Sequence, residues 1–125
     1  LIVAESGGGV VSRVLVDGTR EELATEFEAV IAAGPGLLGS IAALDNASGA
    51  VDGGVVQVQE EGGRSNYLTP LVNPKSMAWE DNAILYVAEG SPANRVVKYS
   101  RVYGSIFELA PLTGEPYAIA LTPED

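Results

Sequence analysis

Short apolar runs alternate along this chain with breaks rich in Gly, Pro, Asp and Asn. That is the pattern of many short strands joined by tight turns. Leu1 to Glu5, Ser12 to Val16, Ile84 to Glu89 and Arg95 to Tyr99 read as strands, and Asp17-Gly18-Thr19 reads as a hairpin turn. One stretch admits a helix: in TREELATEFEAVIAAG, Leu23, Phe27, Val30 and Ile31 recur at helical spacing with Glu between them. The alternative there is an outer strand from Glu21 to Thr25 followed by a connection.

The runs repeat. Ser40-Ile41-Ala42-Ala43, Ser76-Met77-Ala78-Trp79 and Ala118-Ile119-Ala120-Leu121 each place a small residue, a large aliphatic, Ala and a further residue in order, at nearly regular intervals. Val3-Ala4-Glu5 recurs as Val87-Ala88-Glu89, twice the interval that separates the second of those runs from the third. A period of roughly 40 to 45 residues built from four short strands predicts an all-β fold of β-propeller blades. The chain then holds three repeats in a permuted phase. Residues 1–36 supply the last three strands of a first blade, 37–72 a second blade and 73–113 a third. Residues 114–125 form an inner strand that completes a first-type blade, that of a neighbouring subunit in the leading expectation. In the second blade the expected strands are an inner one at Ser40 to Ala43, a weak one at Ala50-Val51-Asp52, then Val55 to Gln59 and Ser65 to Leu68. In the third they are Met77 to Trp79, Leu85 to Glu89, Arg95 to Tyr99 and Ser105 to Ala110.

GEPYAIALTPED joined to LIVAESGGGVVSRVLVDGT, and NPKSMAWEDNAILYVAEGSPANRVVKYS, resemble blades of the NHL-type and ScyD/ScyE-like six-bladed propellers, and the likeness spans the chain. The resemblance implies fold more than function, because such blades serve in enzymes, scaffolds and binding modules. It also implies an exported protein, extracellular or periplasmic. Related lactonase-type hydrolases hold a divalent cation with acidic and Asn side chains at the channel, the Asn following a Pro at the start of an inner strand. This chain departs from that, with Glu115-Pro116-Tyr117, Asn73-Pro74-Lys75 and Pro35-Gly36 at the corresponding places. No metal ligand is therefore assigned, and calcium is carried only with the hydrolase alternative.

Composition narrows the chemistry. Hydrophobic residues make up 46% of the 125, enough for the core of one domain. The net charge of −10, with seven Lys and Arg, argues against a nucleic-acid partner and against anionic membrane surfaces. No apolar run approaches the roughly 20 residues of a spanning helix. The chain holds no Cys and no His, which excludes disulfides, thiolate nucleophiles, Cys/His zinc sites and an imidazole base from these residues. It opens on Leu1 rather than Met, as expected of a processed, excised or truncated chain whose other blades could sit elsewhere.

A propeller binds ligands at the mouth of its central channel. The residues expected there are Leu37 and Leu38, then Asn73 and Lys75, then Glu115 and Tyr117, for a small-molecule or glycan ligand. Glu5 and Glu89 read as turn-capping acids between second and third strands that recur because the repeat recurs. Asp45, Asn46, Ser48 and Asp52 lie close together, but they lack the spacing of a calcium loop and read as a hydrated turn. Trp79 is expected to pack between neighbouring blades. With no catalytic set in view, the leading expectation is a non-catalytic binding or assembly module that forms a homo-oligomer by strand exchange, two chains making a six-bladed ring. Leu1, Ile2, Val3, Tyr117, Ile119 and Leu121 are its expected interface. The alternatives are a calcium-dependent lactonase or strictosidine-synthase-like hydrolase and a subunit of an extracellular filament.

Overall fold

A computed structural model of the chain describes residues 1–36, 40–46, 53–59, 63–80, 84–100 and 105–122. Eleven strands form three antiparallel meanders among them. The first sheet has three strands, β1 (Ile2–Glu5), β2 (Val10–Val14) and β3 (Arg20–Ala24). The second has four, β4 (Val30–Pro35), β5 (Ile41–Asp45), β6 (Gly53–Val58) and β7 (Arg64–Leu71). The third also has four, β8 (Pro74–Trp79), β9 (Ile84–Glu89), β10 (Arg95–Ser100) and β11 (Ser105–Pro111).

Turn chemistry sets the hairpins. Asp17 Oδ1 accepts from Thr19 N at 2.8 Å, and Gly18 takes a φ of 88° that a residue with a Cβ resists. Between β1 and β2, Gly9 sits at φ 63° and its carbonyl accepts from Phe27 N at 3.1 Å. A Cβ on Gly9 would stand 2.3 Å from the Phe27 carbonyl oxygen, so only Gly lets this turn clamp the connection that leads into β4.

The middle sheet is buried on both faces. Ile41 and Ala43 of β5 join Val11, Ala24, Phe27, Val30 and Val58 in one core, while Ala42 and Leu44 join Leu68, Leu71, Leu85, Val87 and Val97 in the other. Each fully buried Leu or Val contributes about 1.5–3 kcal/mol. Trp79 meets Tyr67 of the second sheet at a tilt of 58° with ring centroids 5.3 Å apart, and Tyr67 meets Tyr99 edge-on at the same distance. The single Trp therefore packs between sheets as its sequence context suggested.

Two readings are corrected. Ser40 to Ala43 is not the inner strand of the second sheet: that role belongs to β4, and Ile41 to Ala43 lie in the second strand, β5. A small-aliphatic-Ala run marks a strand buried on both faces, and β5 meets that condition as well as an inner strand does. The helix over the region of Leu23 to Ile31 does not form; Leu23 lies in β3, close to the alternative outer strand from Glu21 to Thr25, while Val30 and Ile31 open β4 and Phe27 is buried in the connection between. Ala50, Val51 and Asp52 lie outside the described residues.

Candidate functional site

The first turn of each inner strand follows one pattern. In the third sheet Pro74 pairs with Glu89 and Ser76 with Ala88, so Lys75 is an extra residue bulged out of the ladder. In the second sheet Val30 pairs with Asp45 and Ala32 with Leu44, which makes Ile31 the bulge. Both bulges fall at the end where the inner strands begin, with Ile31 36% exposed and Lys75 half-buried. Tyr117, one repeat beyond Lys75, is the matching position in the segment after β11 and is 80% exposed.

An acid closes each second strand beside that bulge. Asp45 accepts from Ala29 N at 3.0 Å. Glu89, fully buried, accepts from Val72 N and from Arg95 Nε, both at 2.5 Å. Glu5 has no inner strand beside it in its own sheet among the described residues and is bound instead by Ser12 Oγ at 2.6 Å and Arg20 Nη2 at 2.6 Å. The Ser12 hydroxyl first, and then Arg20, hold the Glu5 carboxyl below its usual pKa. Asp45 and Glu89 anchor the chain as it enters an inner strand, rather than capping the turn between second and third strands, and Glu5 holds the matching position on β1. Asp45, read from the sequence as part of a hydrated turn, belongs with Glu5 and Glu89 because β4 is the inner strand it closes against.

Asn73 is the hub of a hydrogen-bond cluster where β8 begins. Its Oδ1 accepts from Asn46 Nδ2 at 2.7 Å, while its Nδ2 donates to the Ser91 carbonyl at 2.9 Å and to Glu115 Oε2 at 3.2 Å. Asn73 adopts φ 45°, a left-handed conformation that Asn tolerates. Ser91 N donates to the same Glu115 oxygen at 2.8 Å. Gly90 makes room: a Cβ there would lie 2.6 Å from Glu115 Oε2 and 2.8 Å from Lys75 Cε. The structure thus brings Asn73, Lys75 and Glu115 together, with Tyr117 two residues along the same segment. Leu37 and Leu38 lie outside the described residues, and Ile31, which the sequence reading passed over, holds the equivalent bulge.

Beyond Glu115 the chain runs without a ladder partner among the described residues. Ile119 N donates to Ser76 Oγ at 3.2 Å, so the segment lies alongside β8. Tyr117 and Leu121 are exposed, Ile119 half-buried. At the opposite end of the chain Leu1 is 83% exposed, and Ile2 and Val3 are half-buried. Toward the far ends of the inner strands, Ala32 to Pro35 and Met77 to Trp79 line a cleft of about 340 Å³. Where β8 begins, the Asn73 amide, the Lys75 ammonium and the Glu115 carboxylate lie together, with the Tyr117 phenol on the same segment as Glu115. No three carboxylates converge among the described residues.

No protein-family model and no curated relative matches the sequence. Solved structures do resemble it. Selenomethionine-substituted virginiamycin B lyase from Staphylococcus aureus superposes with a TM-score of 0.67 at 19% identity, over 90% of this chain and 38% of that one. A streptogramin B lyase gives 0.70 at 18% identity, over 94% and 39%. A catalytically inactive histidine-to-alanine variant of the Staphylococcus aureus enzyme with quinupristin gives 0.66 at 18%, over 90% and 38%. These neighbours are β-propellers, and the likeness establishes the fold: three propeller blades, the first lacking its inner strand among the described residues. The chain spans less than two-fifths of the length of the lyases it matches.

Proposed function

We propose that this chain is an assembly module, an incomplete propeller completed by strand exchange with a second copy, and that the finished ring binds a polar small molecule or glycan at the mouth around Asn73, Lys75, Glu115 and Tyr117. One observation carries this reading. Among the described residues the first sheet has a free edge at β1, and the segment after β11 has no ladder partner. An open edge invites pairing with another strand, and each of these two surfaces offers what the other lacks. Two copies of three blades make a six-bladed ring by two-fold symmetry; the same exchange without closure makes a filament.

The test is solution mass by light scattering on the full chain and on a chain ending at Thr113. A dimer that falls to monomer on truncation supports the ring, and a mass that grows with concentration supports the filament. A monomer unaffected by truncation defeats the proposal.

Catalysis is the second reading, favoured by the likeness to lyases and by Glu115 at the mouth. The lyase that loses one histidine is inactive, and this chain has none, so a histidine-dependent reaction would need a group from outside these residues. A calcium-dependent hydrolase would gain thermal stability from calcium, and lose that gain with chelator or with Glu115→Ala. An unchanged melting temperature on adding calcium counts against it.

A further inference from the structure

We infer that the shared blade forms in one register, with Pro116 of one copy opposite Glu5 of the other and Ile119 opposite Val3, Tyr117 bulging out at the mouth, and the Glu5 carboxylate receiving the Gly114 N–H. This rests on the assembly reading above.

The repeat supplies the register. In the third sheet Pro74 faces Glu89 and Met77 faces Val87. Pro116 and Ile119 stand one repeat after Pro74 and Met77, and Glu5 and Val3 stand two repeats before Glu89 and Val87. Both complete inner strands share the bulge after their first pair, so the third inherits it at Tyr117. The same shift sets Leu121 opposite Leu1, in the place of Trp79 opposite Leu85. Leu1 and Leu121 are large apolar side chains left 83% and 46% exposed in the single chain, and the pairing covers both.

The polar groups agree with that alignment. Glu89 uses Oε2 for Val72 N and Oε1 for Arg95. Val72 lies two residues before Pro74, and Gly114 two before Pro116. Glu5 takes Ser12 and Arg20 both on Oε2, which leaves Oε1 for the incoming N–H. The donated segment is also held ready. Glu115 is pinned by Asn73 and Ser91, and Ile119 N by Ser76, so less ordering entropy opposes pairing.

The chain has no Cys, so engineered pairs can be read against a clean background. Val3→Cys with Ile119→Cys, and Ile2→Cys with Ala120→Cys, are the in-register variants; the two are needed because alternate antiparallel pairs differ in separation. Val3→Cys with Ala120→Cys is the slipped control, since a shift of one residue sends the side chains to opposite faces. Under mild oxidation at least one in-register variant should link two copies tenfold or more above the control. Linking of the control to the same extent, or a bond only within one chain, overturns the register. Light scattering on the same samples separates the failures: an oligomer without in-register linking defeats the register alone, and a monomer defeats it together with the assembly reading.

Discussion

The first and third sheets carry nearly the same second strand in opposite conditions. Leu1-Ile2-Val3-Ala4-Glu5 and Leu85-Tyr86-Val87-Ala88-Glu89 match at four of five positions. In the third sheet β9 lies between β8 and β10, and Leu85, Val87, Ala88 and Glu89 are fully buried. In the first sheet β1 pairs, among the described residues, with β2 alone, Leu1 is 83% exposed, and the Glu5 side chain is 38% exposed. Sequence sets what a strand is able to bury; its neighbour on the inner side decides whether it does. The acid shows this most clearly, because Glu89 anchors an incoming strand and Glu5 has none to anchor.

Substitutions at matched positions should break that contrast. The largest effect is expected for Glu89→Ala, which removes two hydrogen bonds to a buried carboxylate, one from the Val72 N–H and one from Arg95, a guanidinium one-third exposed that also lies 3.8 Å from Glu108, and should cost about 3–5 kcal/mol in denaturant unfolding. The matched change Glu5→Ala should leave the midpoint of the dilute chain nearly unmoved. Next comes Leu85→Ala, expected to cost about 2–5 kcal/mol as a buried Leu truncation, against about 0.5 kcal/mol or less for Leu1→Ala. Should the two members of either pair prove equally costly in dilute solution, the first sheet is already closed and the contrast is wrong. Gly9→Ala tests a different support of the open sheet. It forces a Cβ into the Phe27 carbonyl at an unfavourable φ, for an expected loss of about 1–3 kcal/mol by thermal melting.

The smallest effect is a titration. The Ser12 hydroxyl chiefly, and then Arg20, hold the Glu5 carboxyl below its ordinary pKa. A depressed folded pKa gives stability that is fully present above the unfolded value and lost as pH falls through the folded one. The first sheet should therefore begin to loosen as pH drops below the ordinary glutamate value of about 4.3. Ser12→Ala should move the Glu5 titration upward toward that ordinary value, read by carboxyl carbon NMR. A titration that does not move would remove Ser12 as the main cause.

Much of the fold was legible because the repeat has a fixed period and its turns have specific residues. Asp17-Gly18 marks its hairpin, and Val87-Ala88-Glu89 marks the end of a second strand wherever it recurs. The second blade was harder. Its inner strand, Val-Ile-Ala-Ala-Gly-Pro, follows a Glu-rich stretch that mimics helical spacing, while β5 carries the apolar run that resembles an inner strand. Both strands face a core on each side of the middle sheet, so periodicity alone does not tell them apart. Asn73, Lys75 and Glu115, singled out from their place before or within an inner strand, do lie together. Ile31 and Asp45 were missed for the same reason, since displacing the second blade's inner strand moved its bulge and its closing acid too. The role of Gly90 depends on how closely Glu115 and Lys75 approach it, and spacing along the chain does not reveal that distance.

The measurement that bears most directly on the central claim is amide hydrogen exchange of β1 compared with β9 across a range of protein concentrations. If a second copy completes the first sheet, Ile2 and Ala4, whose N–H groups face away from β2, should exchange fast in dilute solution and gain protection toward that of Tyr86 and Ala88 as concentration rises, while β9 stays constant. Exchange at β1 that is independent of concentration would contradict completion of the first sheet by another copy.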